Sequence, residues 1–199
     1  AAFTRVIEID EIDSARSQEY ALLAALLARA PDAEFLLRLA GLRGDATPLG
    51  LAHVALGEAA STADAERVSR EYFNLFIGLG RGDLLPYASY YLTGFLHDRP
   101  LARLRQDLQS IGIERAEGNA EPEDHAATLC EVMAGVIGGR FAVPEGTDRR
   151  LFENYIVSWL GRFFADLDIA EHAAFYRPVR APPRLFLQAE PAAFTLAAC

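Results

Sequence analysis

Two short stretches carry the residue types that perform chemistry or grip a ligand. The first is Gly78-Leu79-Gly80-Arg81-Gly82, followed by Leu84-Leu85-Pro86 and by the tyrosines Tyr87, Tyr90 and Tyr91. Glycines at such spacing cradle phosphates when a Lys and a Ser or Thr follow to reach the phosphates and their metal. Here Asp83-Leu84 follow, and a helical pattern rather than a strand precedes. The stretch therefore reads as a helix stop and a turn. The tyrosines beside it suggest a gripping surface, because tyrosine combines apolar area with a hydroxyl at low entropic cost.

The second stretch is Glu121-Pro122-Glu123-Asp124-His125. Carboxylates in a first helical turn offset the positive end of the helix dipole, which accounts for Glu121, Glu123 and Asp124 without any chemistry. A metal or hydrolytic site would need further ligands, and His53, His97 and His172 are scattered. No serine stands at motif spacing from a histidine and an acid, and no Gly-x-Ser-x-Gly occurs. A small all-α metal-dependent hydrolase using Asp124 and His125 is the alternative reading; otherwise no metal or cofactor is expected.

The 199 residues are 51% hydrophobic with a formal net charge of -9. Such a chain builds one sizeable core, read as a single domain over 1–199 with a loose segment at 1–13. An acidic surface disfavours nucleic acid and anionic membranes and tolerates a cationic partner. Of the two cysteines, Cys130 lies in an apolar helical pattern and Cys199 is the last residue, so a disulfide framework is not expected. No apolar run reaches a membrane-spanning length, and the N-terminal residues lack a signal-peptide pattern. The expectation is a cytoplasmic protein with no stable membrane insertion.

The elements that must carry these stretches are helices. The pattern predicts a first helix over Ser14–Ala30 and a second from Pro31-Asp32 to Gly41. A third opens at Thr47-Pro48, and Gly57 with Ser61-Thr62 separates it from an amphipathic helix through Tyr72, Leu75 and Phe76. A tyrosine helix is expected to end near His97, another to run from Pro100 to Gly112, and a long one from Pro122 to Gly138-Gly139. Thr147 is expected to cap a single central core helix bearing Leu151, Phe152, Tyr155, Ile156, Trp159, Leu160, Phe163 and Phe164. A last helical piece holds Phe175 and Tyr176, after which Pro178, Pro182 and Pro183 interrupt the chain. No alternating β-branched run predicts a strand, so the fold is read as all-α.

Taken together and in order, these residues resemble the TorD/DmsD (NarJ-like) family of redox-enzyme maturation chaperones. The matching wording is Tyr72, Leu75-Phe76, Gly78, Gly80, Pro86-Tyr87-x-Ser89-x-Tyr91, Pro100-Leu101, Gly112, Glu121-Pro122-Glu123-Asp124-His125 and Cys130-Glu131-x-Met133. Phe152, Trp159, Phe163-Phe164, Phe175-Tyr176 and Phe186-Leu187-x-x-Glu190 follow. The likeness covers about residues 14–190 and departs from the family where Tyr155 stands in place of a common histidine and where the prolines cut the last helix.

The resemblance implies a single compact, all-helical cytoplasmic chaperone without catalytic turnover. Its partner would be the twin-arginine leader or the body of a molybdenum or tungsten oxidoreductase precursor, held until the pterin cofactor, which the client carries, is inserted. The wording around the acidic stretch leans towards a formate dehydrogenase client, with DMSO- or TMAO-reductase-type enzymes and nitrate reductase also open. The family's leader-binding roles fall on Tyr72, Leu75, Phe76, Pro86, Tyr87, Ser89, Asp124 and His125, and the candidate set extends to Gly80, Arg81, Tyr91, Glu121 and Glu123. The carboxylates would face the leader's arginines and the aromatic loop its apolar stretch. A monomer or a domain-swapped homodimer, and weak nucleotide binding, are family possibilities. A scaffolding subunit retained in a mature complex is a further reading.

Overall fold

Short polar side chains set where most helices begin. In the computed structural model, which describes residues 9–197, Asp10 accepts the Asp13 amide at 2.7 Å and opens α1 (Glu11–Ala28) ahead of the expected Ser14 start. Glu11 to Asp13 are thus helical rather than loose, while residues 1–8, Ala198 and Cys199 lie outside the described residues. Asp32 caps α2 (Ala33–Ala40) through the Phe35 amide, and Thr47 caps α3 (Pro48–Ser61) through the Gly50 amide. Pro48 sits in the first turn of α3, where its missing N–H has no helical partner to lose. Helix α3 runs through Gly57 to Ser61, and Asp64 caps α4 (Ala65–Tyr72). Then come a π-helical turn (Phe73–Ile77), α5 (Ala88–Thr93), α6 (Arg99–Ser110), α7 (Ala126–Ile137), α8 (Thr147–Tyr155), α9 (Leu160–Ile169), α10 (Tyr176–Val179) and α11 (Ala181–Ala197). Among the described residues there is no strand, only one isolated bridge, so the fold is all-α.

The central packing is α1 against α7, and α11 returns to touch α1, α3 and α9. Leu23, Leu26 and Leu27 of α1 meet one buried cluster with Leu129, Cys130 and Met133 of α7 and with Trp159, Leu160, Phe163 and Phe164. Burial pushes the Cys130 thiol up to about 12, which makes it an inert apolar filler. A charged strut runs through this core. Arg16 of α1 donates to both oxygens of Glu190 on α11, at 2.7 and 3.0 Å, and to Asp148 on α8 at 3.0 Å. The Tyr20 hydroxyl adds a bond to Glu190. Removing one partner of such a pair leaves a buried charge unpaired, which costs about 3–5 kcal/mol.

Further elements differ from the sequence reading. The expected single helix over the aromatic stripe is broken between α8 and α9. The amides of Ile156 and Val157 both turn to the Phe152 carbonyl, and the Trp159 indole N–H donates to Tyr155 O at 2.6 Å. The stripe marks burial on both sides of the break, so its periodicity could not reveal the break. The prolines, expected to interrupt the C-terminal segment, instead open a helix: Pro182 and Pro183 occupy the first turn of α11. Thr147 is the first helical residue of α8, with Gly146 in the capping position.

Trp159 is fully buried among Tyr91 and Phe163. Trp159→Ala is expected to cost about 3–5 kcal/mol in denaturant melts; a loss below about 1 kcal/mol would contradict this packing.

Candidate functional site

The glycine-rich stretch is a folded-back loop fixed by its own backbone. The π turn closes with the Gly78 amide on Phe73 O at 2.7 Å, and Gly78 takes φ 65°. The chain then doubles back, and the amides of Asp83 and Leu84 satisfy the carbonyls of Asn74 and Leu75 at 3.0 and 2.8 Å. A Cβ at Gly82 would lie 2.5 Å from Leu75 O, so only glycine permits this approach. Glu71, one turn earlier, accepts the amides of Ala174, Phe175 and Tyr176. The Asp83 carboxylate accepts both the backbone N–H of His172 and a bond from its Nδ1. This hydrogen bond to Asp83 raises the His172 pKa.

This geometry sorts the candidate residues. Tyr72 and Leu75 belong to the core. The Tyr72 hydroxyl donates to Leu27 O and that of Tyr176 to Leu26 O, at 2.8 and 2.6 Å, filling carbonyls that the end of α1 leaves open. Phe76 is half-buried between Tyr72, Tyr176 and Phe163. Gly80 and Arg81 are exposed, and Arg81 bends over α5 to donate to the Tyr90 hydroxyl at 2.7 Å. Tyr91 donates to Asp166 and packs on Trp159.

Apolar side chains stand in solvent on the turn and at the end of α5. On the turn Leu79 is 97% and Ile77 55% exposed, with Phe73; at α5 and just after it Phe95 is 69% exposed, with Leu92 and Leu96. Sequence reasoning missed these residues. For Leu79 the available signal was its place between two glycines, where no helical stripe can claim it.

The acidic stretch is brought against the tyrosine loop. Tyr87 and His125 form an isolated antiparallel bridge, with the Ala88 amide on Asp124 O (3.0 Å) and the Ala126 amide on Pro86 O (2.8 Å). Their rings meet edge to face at 5.1 Å. The expected helix from Pro122 starts only at Ala126, and His125 is its cap, with Nδ1 accepting the Ala127 amide at 3.0 Å. Pro86 satisfies the Ala126 amide from outside, so the acidic residues precede the helix instead of forming its first turn.

Each acidic side chain therefore has a separate task. Asp124, 1% exposed, accepts the Ser89 amide at 2.8 Å and caps α5 from across the bridge. Glu123 is held by Arg105 and Arg115; burial acts to raise its pKa, but the two arginines bring it below the usual carboxylate value. Glu121 is half-buried and accepts the Tyr87 hydroxyl, whose pKa burial and this carboxylate raise. The Ser89 hydroxyl is buried within the cluster, with no hydrogen-bond partner among the described residues.

Among the described residues no three His, Cys, Asp or Glu side chains converge on a metal-sized gap. Asp124 and the His125 Nδ1 both serve backbone amides, so the hydrolase reading loses the groups it needs. No described helix is long and apolar enough to cross a membrane.

Comparison with known proteins agrees with this architecture. The sequence model of the family described as nitrate reductase delta subunit matches residues 42–165, more than half of the chain. The chaperone protein TorD of Shewanella loihica is 24% identical over 188 residues, covering 83% of this chain and 86% of that protein. TorD of Vibrio cholerae serotype O1 is 32% identical over 82 residues, covering 40% of this chain. That match spans 37% of the Vibrio protein's length. A crystal structure of a proposed redox enzyme maturation protein from Archaeoglobus fulgidus shares the fold, with a TM-score of 0.59 at 17% identity over 93% of this chain and 99% of that one.

Two stability measurements test the junction. Asp124→Ala strands the buried Ser89 amide and is expected to cost about 1–3 kcal/mol; an unchanged urea midpoint would contradict the capping role. Burial holds the His125 imidazole below its ordinary value of 6.5, against the pull of Glu121 and Asp124. The unfolded chain then binds this proton more readily than the folded one. The contribution of His125 is complete above pH 6.5 and is lost as pH falls through the folded value. His125→Asn keeps an acceptor able to cap and removes the titration. Wild-type stability should fall more steeply below pH 6.5 than that of the variant, and parallel profiles would contradict the assignment.

Proposed function

The chain belongs to the nitrate reductase delta subunit family, and on that premise we propose that it is a maturation chaperone for a molybdenum or tungsten oxidoreductase. It binds the precursor of that enzyme in the cytoplasm and holds it until the pterin cofactor is in place, with no turnover of its own. The observation that carries this reading is a set of exposed apolar side chains, Ile77 and Leu79 on a loop whose backbone is hydrogen-bonded into place and Phe95 just after α5. Ile77, Leu79 and Phe95 stand in water on a protein of net charge -9. Exposed apolar groups on a fixed scaffold favour a partner over self-burial.

The chemistry suits a twin-arginine leader, which has a cationic end and an apolar stretch. The apolar stretch covers Leu79 and Phe95, and the arginines meet carboxylates. Within the 121–124 stretch and among the described residues, Glu121 is the carboxylate with exposed surface and no cation in contact, since Asp124 is enclosed and Glu123 is paired. Binding then acts by sequestration: it shields an export signal and releases it intact.

Leu79→Ser combined with Phe95→Ser removes exposed apolar area without disturbing the core. Affinity for a precursor carrying its leader should fall about tenfold or more, since burying one such side chain contributes about 1.5–3 kcal/mol. Thermal melts should be unchanged. Wild-type affinity in the doubly substituted, correctly folded protein would move the docking surface elsewhere.

A further inference from the structure

Four side chains that donate hydrogen bonds line one cleft between α4, the π turn and the 172–175 segment. Its volume is about 510 Å³, within the range of small-ligand sites. Arg67, Arg70 and Asn74, three and four residues apart, follow one another along α4 into the π turn, and His172 lines the same space from the segment after α9. Val68 and Phe175, both buried, add an apolar lining.

The carboxylates at this cleft already have backbone partners. Asp64 accepts the Arg67 amide at 2.9 Å as the cap of α4. Glu71 accepts the amides of Ala174, Phe175 and Tyr176. Among the described residues neither Arg67 nor Arg70 has a carboxylate in ion-pair contact, and the Asn74 side chain makes no hydrogen bond. Asp83 holds Nδ1 of His172 at 2.8 Å, which leaves Nε2 for a ligand. The same bond favours the protonated ring, which carries an N–H at Nε2. Donors are thus in surplus at this one opening on a chain of net charge -9.

We propose that this cleft binds a phosphate group, free or carried on a small apolar body, with Arg67 and Arg70 on its oxygens and Asn74 and His172 completing the contacts. Two guanidinium forks and an imidazolium match the charge of a phosphate dianion, and each fork bonds two of its oxygens at once. The cleft is larger than a free phosphate ion, and Val68 and Phe175 give an apolar body a place to rest. With Asp64 and Glu71 committed to amides, no free carboxylate is left to read the N–H edge of a nucleobase. The ligand also touches both anchors of the fold-back: Asn74 O takes the Asp83 amide, and His172 bonds the Asp83 carboxylate. Occupancy therefore steadies the loop from behind.

The test follows the imidazole resonances of the full chain, which has four histidines, during titration at constant pH. The probes are sodium phosphate, phenyl phosphate and guanosine monophosphate, each against sodium chloride at matched ionic strength, because salt alone screens exposed charges. The His172 signals, identified by their loss in His172→Gln, should shift saturably with phosphate and at lower concentration with phenyl phosphate, and not with chloride. The Arg67→Gln, Arg70→Gln double variant, with its fold checked by thermal melting, should bind about tenfold more weakly or worse, the scale of a lost charge-assisted hydrogen bond. Equal affinity for phosphate and phenyl phosphate would identify the free ion as the ligand. Guanosine monophosphate binding more tightly than phenyl phosphate would overturn the apolar body. A response to phosphate no different from chloride, or wild-type affinity in the double variant, would overturn the site.

Discussion

Two backbone hydrogen bonds, Ala88 to Asp124 and Ala126 to Pro86, join the tyrosine stretch to the acidic loop. Each contributes only about 0.5–1.5 kcal/mol, and a two-bond bridge would not persist alone. It persists because the residues on both sides are committed elsewhere. Asp124 caps α5, His125 caps α7, and the closed ring of Pro86 fixes one φ angle at the crossing. Helices α5 and α7 thus start from the same few atoms, and neither start is complete without the other. The aromatic stretch and the acidic loop, which are remote in sequence, become one surface.

The second constraint is the loop that leads into this junction. The π turn and the fold-back after it satisfy their own carbonyls, so the loop does not need to bury its apolar side chains to be ordered. Glu71 and Asp83 tie its two ends to the 172–176 segment. This separates order from burial. A loop held by backbone bonds can expose Leu79 and Ile77 without collapsing onto the core, which preorganises the surface and lowers the entropic cost of binding.

Much of the fold was legible in the sequence because its signals are local. Asp32, Thr47-Pro48, Gly41 and Gly112 mark helix ends by their own chemistry, and the apolar spacing of Leu151 to Phe164 marks burial. The features that were not legible depend on partners far along the chain. Asp124 and His125 read as a first helical turn, but Pro86 takes the Ala126 amide and delays the helix. Tyr72 entered the candidate set through the family resemblance, and its hydroxyl satisfies the Leu27 carbonyl near the end of α1. Pro182-Pro183 read as a break because the helix they open starts immediately after α10. Of the candidate positions, Asp124 and Tyr72 make buried structural bonds, while Glu121 keeps exposed surface.

The central claim is that the client is gripped at one continuous face made by the 73–97 stretch and the 113–121 loop. Amide hydrogen exchange of the chain, free and bound to a leader-bearing precursor, measures this directly. The account predicts added protection within 73–97 and 113–121, with α2 and α3 exchanging as in the free protein. Protection confined to α1, α2 and α3, with 73–97 unchanged, would contradict it.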